Sequence, residues 1–119
     1  MPGGYVTTHV LDTTRGQPAA GLEIDVYRLN GMERRKLLRV TTNGQGRTEA
    51  PVISGPEMVE AEYELLFHAG DYLARVHGPV DGVRFLNVVP VRFGVSDRGQ
   101  HYHVPLLLSP FGYSTYRGS

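Results

Sequence analysis

Residues 5–12 read YVTTHVLD, and the alternation places Val6, Thr8 and Val10 on one side and Tyr5, Thr7, His9 and Leu11 on the other. A period of two is the signature of a strand with one face toward a core. The pattern returns at 22–29, where Leu22, Ile24 and Val26 share a face and Glu23 and Asp25 fall between them. Further strands are expected over 36–42, 61–67, 85–94, 101–108 and 113–116. Asn30-Gly31 predicts a tight turn. A second turn, Thr42-Asn43-Gly44-Gln45-Gly46, releases Arg47 as the chain leaves it, and others fall at 96–99 and 109–112. Residues 13–21 read as a loop broken by Gly16, Pro18 and Gly21, and residues 70–76, between Gly70 and Gly78, as one short helix. With 15 glycines and 8 prolines closing short apolar runs, the pattern predicts an all-β sandwich of seven or eight strands.

The strand at 101–108 carries more than a core face. Tyr102, Val104, Leu106 and Leu108 fit an interior, but the opposite side, His101, His103, Pro105 and Leu107, is also half apolar. A histidine set beside leucines on the outer faces of two strands predicts a second buried surface, most simply against another copy of the chain.

Composition narrows the classes. A length of 119 residues predicts a single domain spanning 1–119. With no cysteine, disulfide and thiolate chemistry are excluded. Twelve basic against twelve acidic residues give zero net charge, which argues against nucleic acid or an anionic membrane as partner. No apolar run is long enough to cross a bilayer. MPGGYVTTHV has no secretory-signal pattern, and the RGS ending is not a peroxisomal tripeptide. The expected compartment is the cytoplasm.

His68 and His77 flank the expected helix and read as helix-end residues, while His9, His101 and His103 lie on strand faces away from the core. Three chemistries are compatible with them. A neutral imidazole can take a proton from water near neutral pH, with an arginine such as Arg47 holding a developing oxyanion. His101 and His103, with His9, could instead hold zinc, although no Cys or evident Glu completes the set. A serine nucleophile has no G-x-S-x-G elbow to present it.

Three stretches carry a family resemblance. TTHVLDTTRGQPA at 7–19, TTNGQGR at 41–47 and the closing YHVPLLLSPFGYSTYRGS are similar to the marked segments of the transthyretin-like proteins, the last to the signature of their 5-hydroxyisourate hydrolase branch. The resemblance implies two facing four-stranded sheets with a short helix, assembled as a homotetramer, a dimer of dimers with active sites at the dimer–dimer interface. It implies hydrolysis of a ring amide of 5-hydroxyisourate to 2-oxo-4-hydroxy-4-carboxy-5-ureidoimidazoline, a purine-derived substrate, with no metal or organic cofactor. Carried over position by position, it marks His9, Arg47 and His103 as catalytic. Tyr116, Arg117, Gly118 and Ser119, with Ser114, are expected to bind substrate. Tyr116 shares a strand parity with Ser114 and is expected to point into the channel that the resemblance implies across the tetramer centre; an extension past Ser119 is then expected to cut activity. His101, one pair further along from His103, is expected to matter less. The hormone-carrier branch resembles this chain in fold but carries lysine, glutamate and threonine where His9, Arg47 and His103 stand. A small-aromatic carrier without catalysis is the alternative implied.

Overall fold

The computed structural model describes residues 3–119. Eight strands form two four-stranded sheets. The first sheet runs β2-β1-β7-β8, from β1 (Tyr5–Asp12), β2 (Gln17–Pro18), β7 (His101–Ser109) and β8 (Gly112–Thr115). The second runs β4-β3-β5-β6, from β3 (Glu23–Asn30), β4 (Glu33–Thr41), β5 (Ala61–His68) and β6 (Val88–Val95). A helix, α1 (Ala69–His77), follows β5 directly. The expected two-sheet sandwich with one short helix is the fold observed.

The alternation read from the sequence is what builds the core. Val6, Val10, Leu106 and Leu108 from one sheet meet Ile24, Val26, Leu65 and Phe67 from the other, all fully buried. Strands β1 and β7 pair in parallel, with Tyr5 beside His101, Thr7 beside His103, His9 beside Pro105 and Leu11 beside Leu107. Parallel pairing keeps the parity of both strands, so the two outward sets land on one common face. The pairing was not evident from spacing, because 96 positions separate Thr7 from His103.

Several boundaries differ from those expected. Strand β4 begins at Glu33, not 36, because the turn at Gly31 (φ 62°) is tight and the charged run Glu33-Arg34-Arg35 pairs at an exposed edge where polar side chains face water. Strand β6 begins at Val88, not 85: Phe85 is 72% exposed and lies in the preceding loop. The expected loop at 13–21 holds the two-residue strand β2, paired to Leu11 and Asp12. Strand β8 stops at Thr115, before Tyr116.

The helix is fastened by one buried carboxylate. Asp12, fully buried at the end of β1, accepts hydrogen bonds from the Tyr72 hydroxyl at 2.7 Å and from His77 Nε2 at 2.7 Å, both on α1. It also accepts the backbone N–H groups of Thr14 and Arg15. Burial alone would raise its pKa, but the bonds from Tyr72 and His77 win and hold it below the ordinary 3.8.

Candidate active site

The outer face of β1 and β7 forms one wall of an open cleft of ≈ 350 Å³. Tyr5, Thr7, His101 and His103 come from that wall, Arg47 and its successors from the loop after β4, and Ser119 from the far end of the chain. The cleft thus collects the start, middle and end of the sequence.

Asn43 shapes the loop that delivers Arg47. Its side-chain oxygen accepts the N–H groups of Gln45 at 2.9 Å and Arg47 at 3.2 Å, while its own N–H donates to the Arg47 carbonyl at 2.7 Å. Gly46 sits at φ 74°, and a Cβ there would strike the Val10 carbonyl oxygen, so only glycine lets the loop lie against β1. Arg47 is therefore bridged to His9 through the backbone. Among the described residues its guanidinium forms no ion pair with a carboxylate, so a full positive charge stands free at the cleft.

That charge sets the state of the histidines. His103 is half-buried, and its pKa lies below the ordinary 6.5, first through burial, then through Arg47, His101 and His9. His9 is lowered likewise, by burial and then by Arg47, with the Gln45 backbone pulling the other way. Both rings are therefore neutral at neutral pH, the form that can accept a proton from water. The His103 ring is fixed on two sides. Its Nδ1 is 2.7 Å from the Thr7 hydroxyl, and Gly118 lies against the ring so closely that a Cβ would come within 2.7 Å of its Cδ2.

The chain end pairs back onto β7, and it divides the residues expected to bind substrate. Beyond β8 the backbone bends and Gly118 N–H donates to the His103 carbonyl at 2.7 Å. This return brings Ser119 to the cleft. Arg117 turns away, its guanidinium 4.1 Å over the Tyr102 ring and hydrogen-bonded to Gln100 at 2.9 Å. Tyr116 is 57% exposed and lines a separate groove with Phe93, Gly94 and Thr115, because the ladder ends before it and parity no longer governs its direction. Ser114 is exposed opposite Leu107, four positions along β7 from His103 or about 13 Å. Within one chain, then, His103, Arg47 and Ser119 share the cleft, and His9 borders it beside Arg47. Tyr116, Arg117 and Ser114 do not reach it. Thr7 and Tyr5 were missed as site residues; the parity that placed His9 on the outer face already placed them there. Among the described residues no three His, Cys, Asp or Glu side chains converge as a metal site.

A sandwich of this topology, with a polar cleft on the outer face of its β1–β7 pair, is a transthyretin-type fold. The chain belongs to the HIUase/Transthyretin family, whose sequence profile matches residues 6–118. It is 53% identical over 116 residues to 5-hydroxyisourate hydrolase 2 of Rhizobium meliloti, covering 98% of this chain and 97% of that protein. Among solved structures it superposes on the 5-hydroxyisourate hydrolase of Klebsiella pneumoniae with a TM-score of 0.78 at 32% identity, covering 97% of this chain and 99% of that one. It also superposes on (S)-allantoin synthase with a TM-score of 0.90 at 41% identity, covering 98% of this chain but only 44% of that longer one.

Proposed function

We propose that this chain hydrolyses 5-hydroxyisourate to 2-oxo-4-hydroxy-4-carboxy-5-ureidoimidazoline in urate catabolism. The observation that carries the proposal is the meeting of an unpaired Arg47 with the neutral imidazole of His103 in one cleft, in a chain similar over its length to hydrolases of that substrate. His103, with His9 beside Arg47, takes a proton from the attacking water as its oxygen bonds to the ring carbonyl. Arg47 holds the oxyanion, and the ring C–N bond then breaks as the nitrogen is protonated. A preorganised cation at a developing oxyanion accelerates acyl transfer because it is stronger in the transition state than in the ground state.

Residues 1–119 act as one unit, and the unit works as an assembly of copies, a homotetramer. Two features support association. Among the described residues the outward edges of β8 and β6 are both unpaired, and they flank the same groove. Leu11 and Leu107 also lie together on the outer face beyond the histidines. No helix among the described residues is long and apolar enough to cross a membrane; the cytoplasm, with its supply of purine-derived substrate, is the proposed compartment.

The test is the ultraviolet decay of 5-hydroxyisourate made fresh from urate and urate oxidase. The protein is expected to accelerate it well beyond the spontaneous rate, and His103→Ala to lower turnover by about 10²–10⁴-fold. Decay at the spontaneous rate with folded protein would overturn the proposal and favour a small-aromatic carrier.

A further inference from the structure

Thr7 and Thr8 are adjacent threonines with different surroundings. Thr8 is buried and its hydroxyl donates to the Val104 carbonyl at 2.7 Å, the ordinary way a core hydroxyl is satisfied. Thr7 faces outward, and among the described residues its hydroxyl bonds no backbone group. It lies 2.7 Å from His101 Nε2 and 2.7 Å from His103 Nδ1. The pairing of Thr7 with His103 across β1 and β7 produces this, since His101 and His103 share the face and bracket the residue between them. His101 is in turn stacked on Tyr5, ring centroids 4.4 Å apart and 20° from parallel.

A hydroxyl has one proton to donate, so between two imidazole nitrogens it must donate to one and accept N–H from the other. When both rings are neutral, the two protonation patterns are therefore linked. If Thr7 donates to His101 Nε2, His103 carries its proton on Nδ1 and leaves Nε2 as a lone pair. If Thr7 donates the other way, His103 Nε2 carries the proton and cannot act as a base.

The geometry points to Thr7 as a positioning residue for the hydrolysis proposed above: its hydroxyl holds His103 with Nε2 unprotonated and connects it to His101 as a temporary proton store. The steps balance. Water gives a proton to His103 Nε2 as its oxygen bonds to the substrate carbonyl. The Nδ1 proton of His103 passes to the Thr7 oxygen as the Thr7 proton passes to His101 Nε2. Positive charge thus leaves a half-buried ring, faced by Arg47 from the β4–β5 loop and by His9 on β1, for an exposed one. Collapse of the intermediate reverses the transfer: His101 returns the proton through Thr7 to His103 Nδ1 while His103 Nε2 protonates the departing ring nitrogen. Glu49 and Ser119 also line the cleft, but neither is hydrogen-bonded to either imidazole.

Two measurements test this assignment. The first needs no substrate: nitrogen–proton correlation spectra of the unliganded protein, at a pH where the rings are neutral, report which ring nitrogen carries each proton. His103 is expected to be protonated at Nδ1 in the natural protein and in Thr7→Ser, and to lose that preference in Thr7→Val. Finding His103 protonated at Nε2 in the natural protein would overturn the assignment even if the protein is an active hydrolase. The second is steady-state kinetics on variants whose melting and mass show them folded and assembled. Thr7→Val is expected to lower kcat by at least about tenfold with KM nearly unchanged, and Thr7→Ser to recover most of it. His101→Asn added to Thr7→Val is expected to cost nothing further, because the connection is already broken. Natural kcat in Thr7→Val, or full additivity of the two substitutions, would overturn the assignment. Absence of hydrolysis by the natural protein would instead sink the proposed function, leaving the spectra to decide the tautomer.

Discussion

At the scale of single residues, the site depends on small groups that hold larger ones. Gly118 is an example. Its missing Cβ is what lets the chain end press on the His103 ring, while Thr7 holds the other side of that ring. Gly118→Ala would force the imidazole or the returning backbone to move by several tenths of an ångström. Displacements of that order matter for a proton transfer that needs hydrogen-bond reach. The expected outcome is a fall in kcat of about tenfold or more with an unchanged melting temperature; a kcat equal to that of the natural protein would show that the contact gives way freely. Electrostatics give a second outcome at this scale. Burial and the Arg47 charge both lower the pKa of His103. Arg47→Gln removes the largest of the charge contributions, so the ring should protonate at a higher pH than before, moving back toward 6.5. Proton NMR titration of the His103 ring checks the sign: a midpoint that stays or falls would mean that Arg47 does not act on this ring.

At the scale of elements, legibility followed the range of the information. The alternation in β1, β3 and β7 is local, so their core and outer faces could be read directly, and His9 and His103 were placed correctly on an outer face. Starts of strands depended on the turn before them, so the charged opening of β4 and the loop holding Phe85 were misjudged. Within the single chain Tyr116 lies past the last ladder pair, Leu106 with Thr115, so strand parity does not fix its direction, and it lines a groove other than the histidine cleft. Chemistry between distant elements was not legible at all. No periodicity signals that Asp12 will be covered by Tyr72 and His77, or that Thr7 will bridge two rings. The Asp12 junction carries a stability prediction. Asp12→Ala would leave the Thr14 and Arg15 N–H groups and the Tyr72 hydroxyl without their acceptor and release α1 from β1. A loss of about 3 kcal/mol is expected, read as a lower urea midpoint with unchanged slope. The Asp12 carboxyl is held below 3.8, so its contribution is complete above that pH and fades as the pH falls through the folded-state value. A midpoint equal to that of the natural protein would remove Asp12 from the forces holding the helix.

At the scale of the whole molecule, the outer face of β1 and β7 has two neighbouring parts with different chemistry. Toward the start of β7 it is polar and carries the imidazoles; further along, Leu11 and Leu107 pair side by side on the same surface. Both leucines remain partly exposed in the single chain. An apolar pair continuous with the proposed catalytic cleft is the expected arrangement if a second copy covers the leucines and closes the cleft against water, which strengthens every charge interaction inside. Association and catalysis should then fail together under a change that leaves the sandwich intact. Leu107→Glu places a charge on that surface without touching the core, since Leu106 and Leu108 hold the buried side of the strand. The variant is expected to sediment as a smaller species than the natural protein while retaining its circular dichroism, and to lose most of its hydrolase activity although His9, Arg47 and His103 are unchanged. Analytical ultracentrifugation with the ultraviolet assay on the same preparation decides the matter. If Leu107→Glu keeps the natural mass and full activity, this face is not where copies meet. If the mass falls but activity persists, the cleft works without its neighbour, and the open 350 Å³ site of the single chain is the whole of the catalytic apparatus.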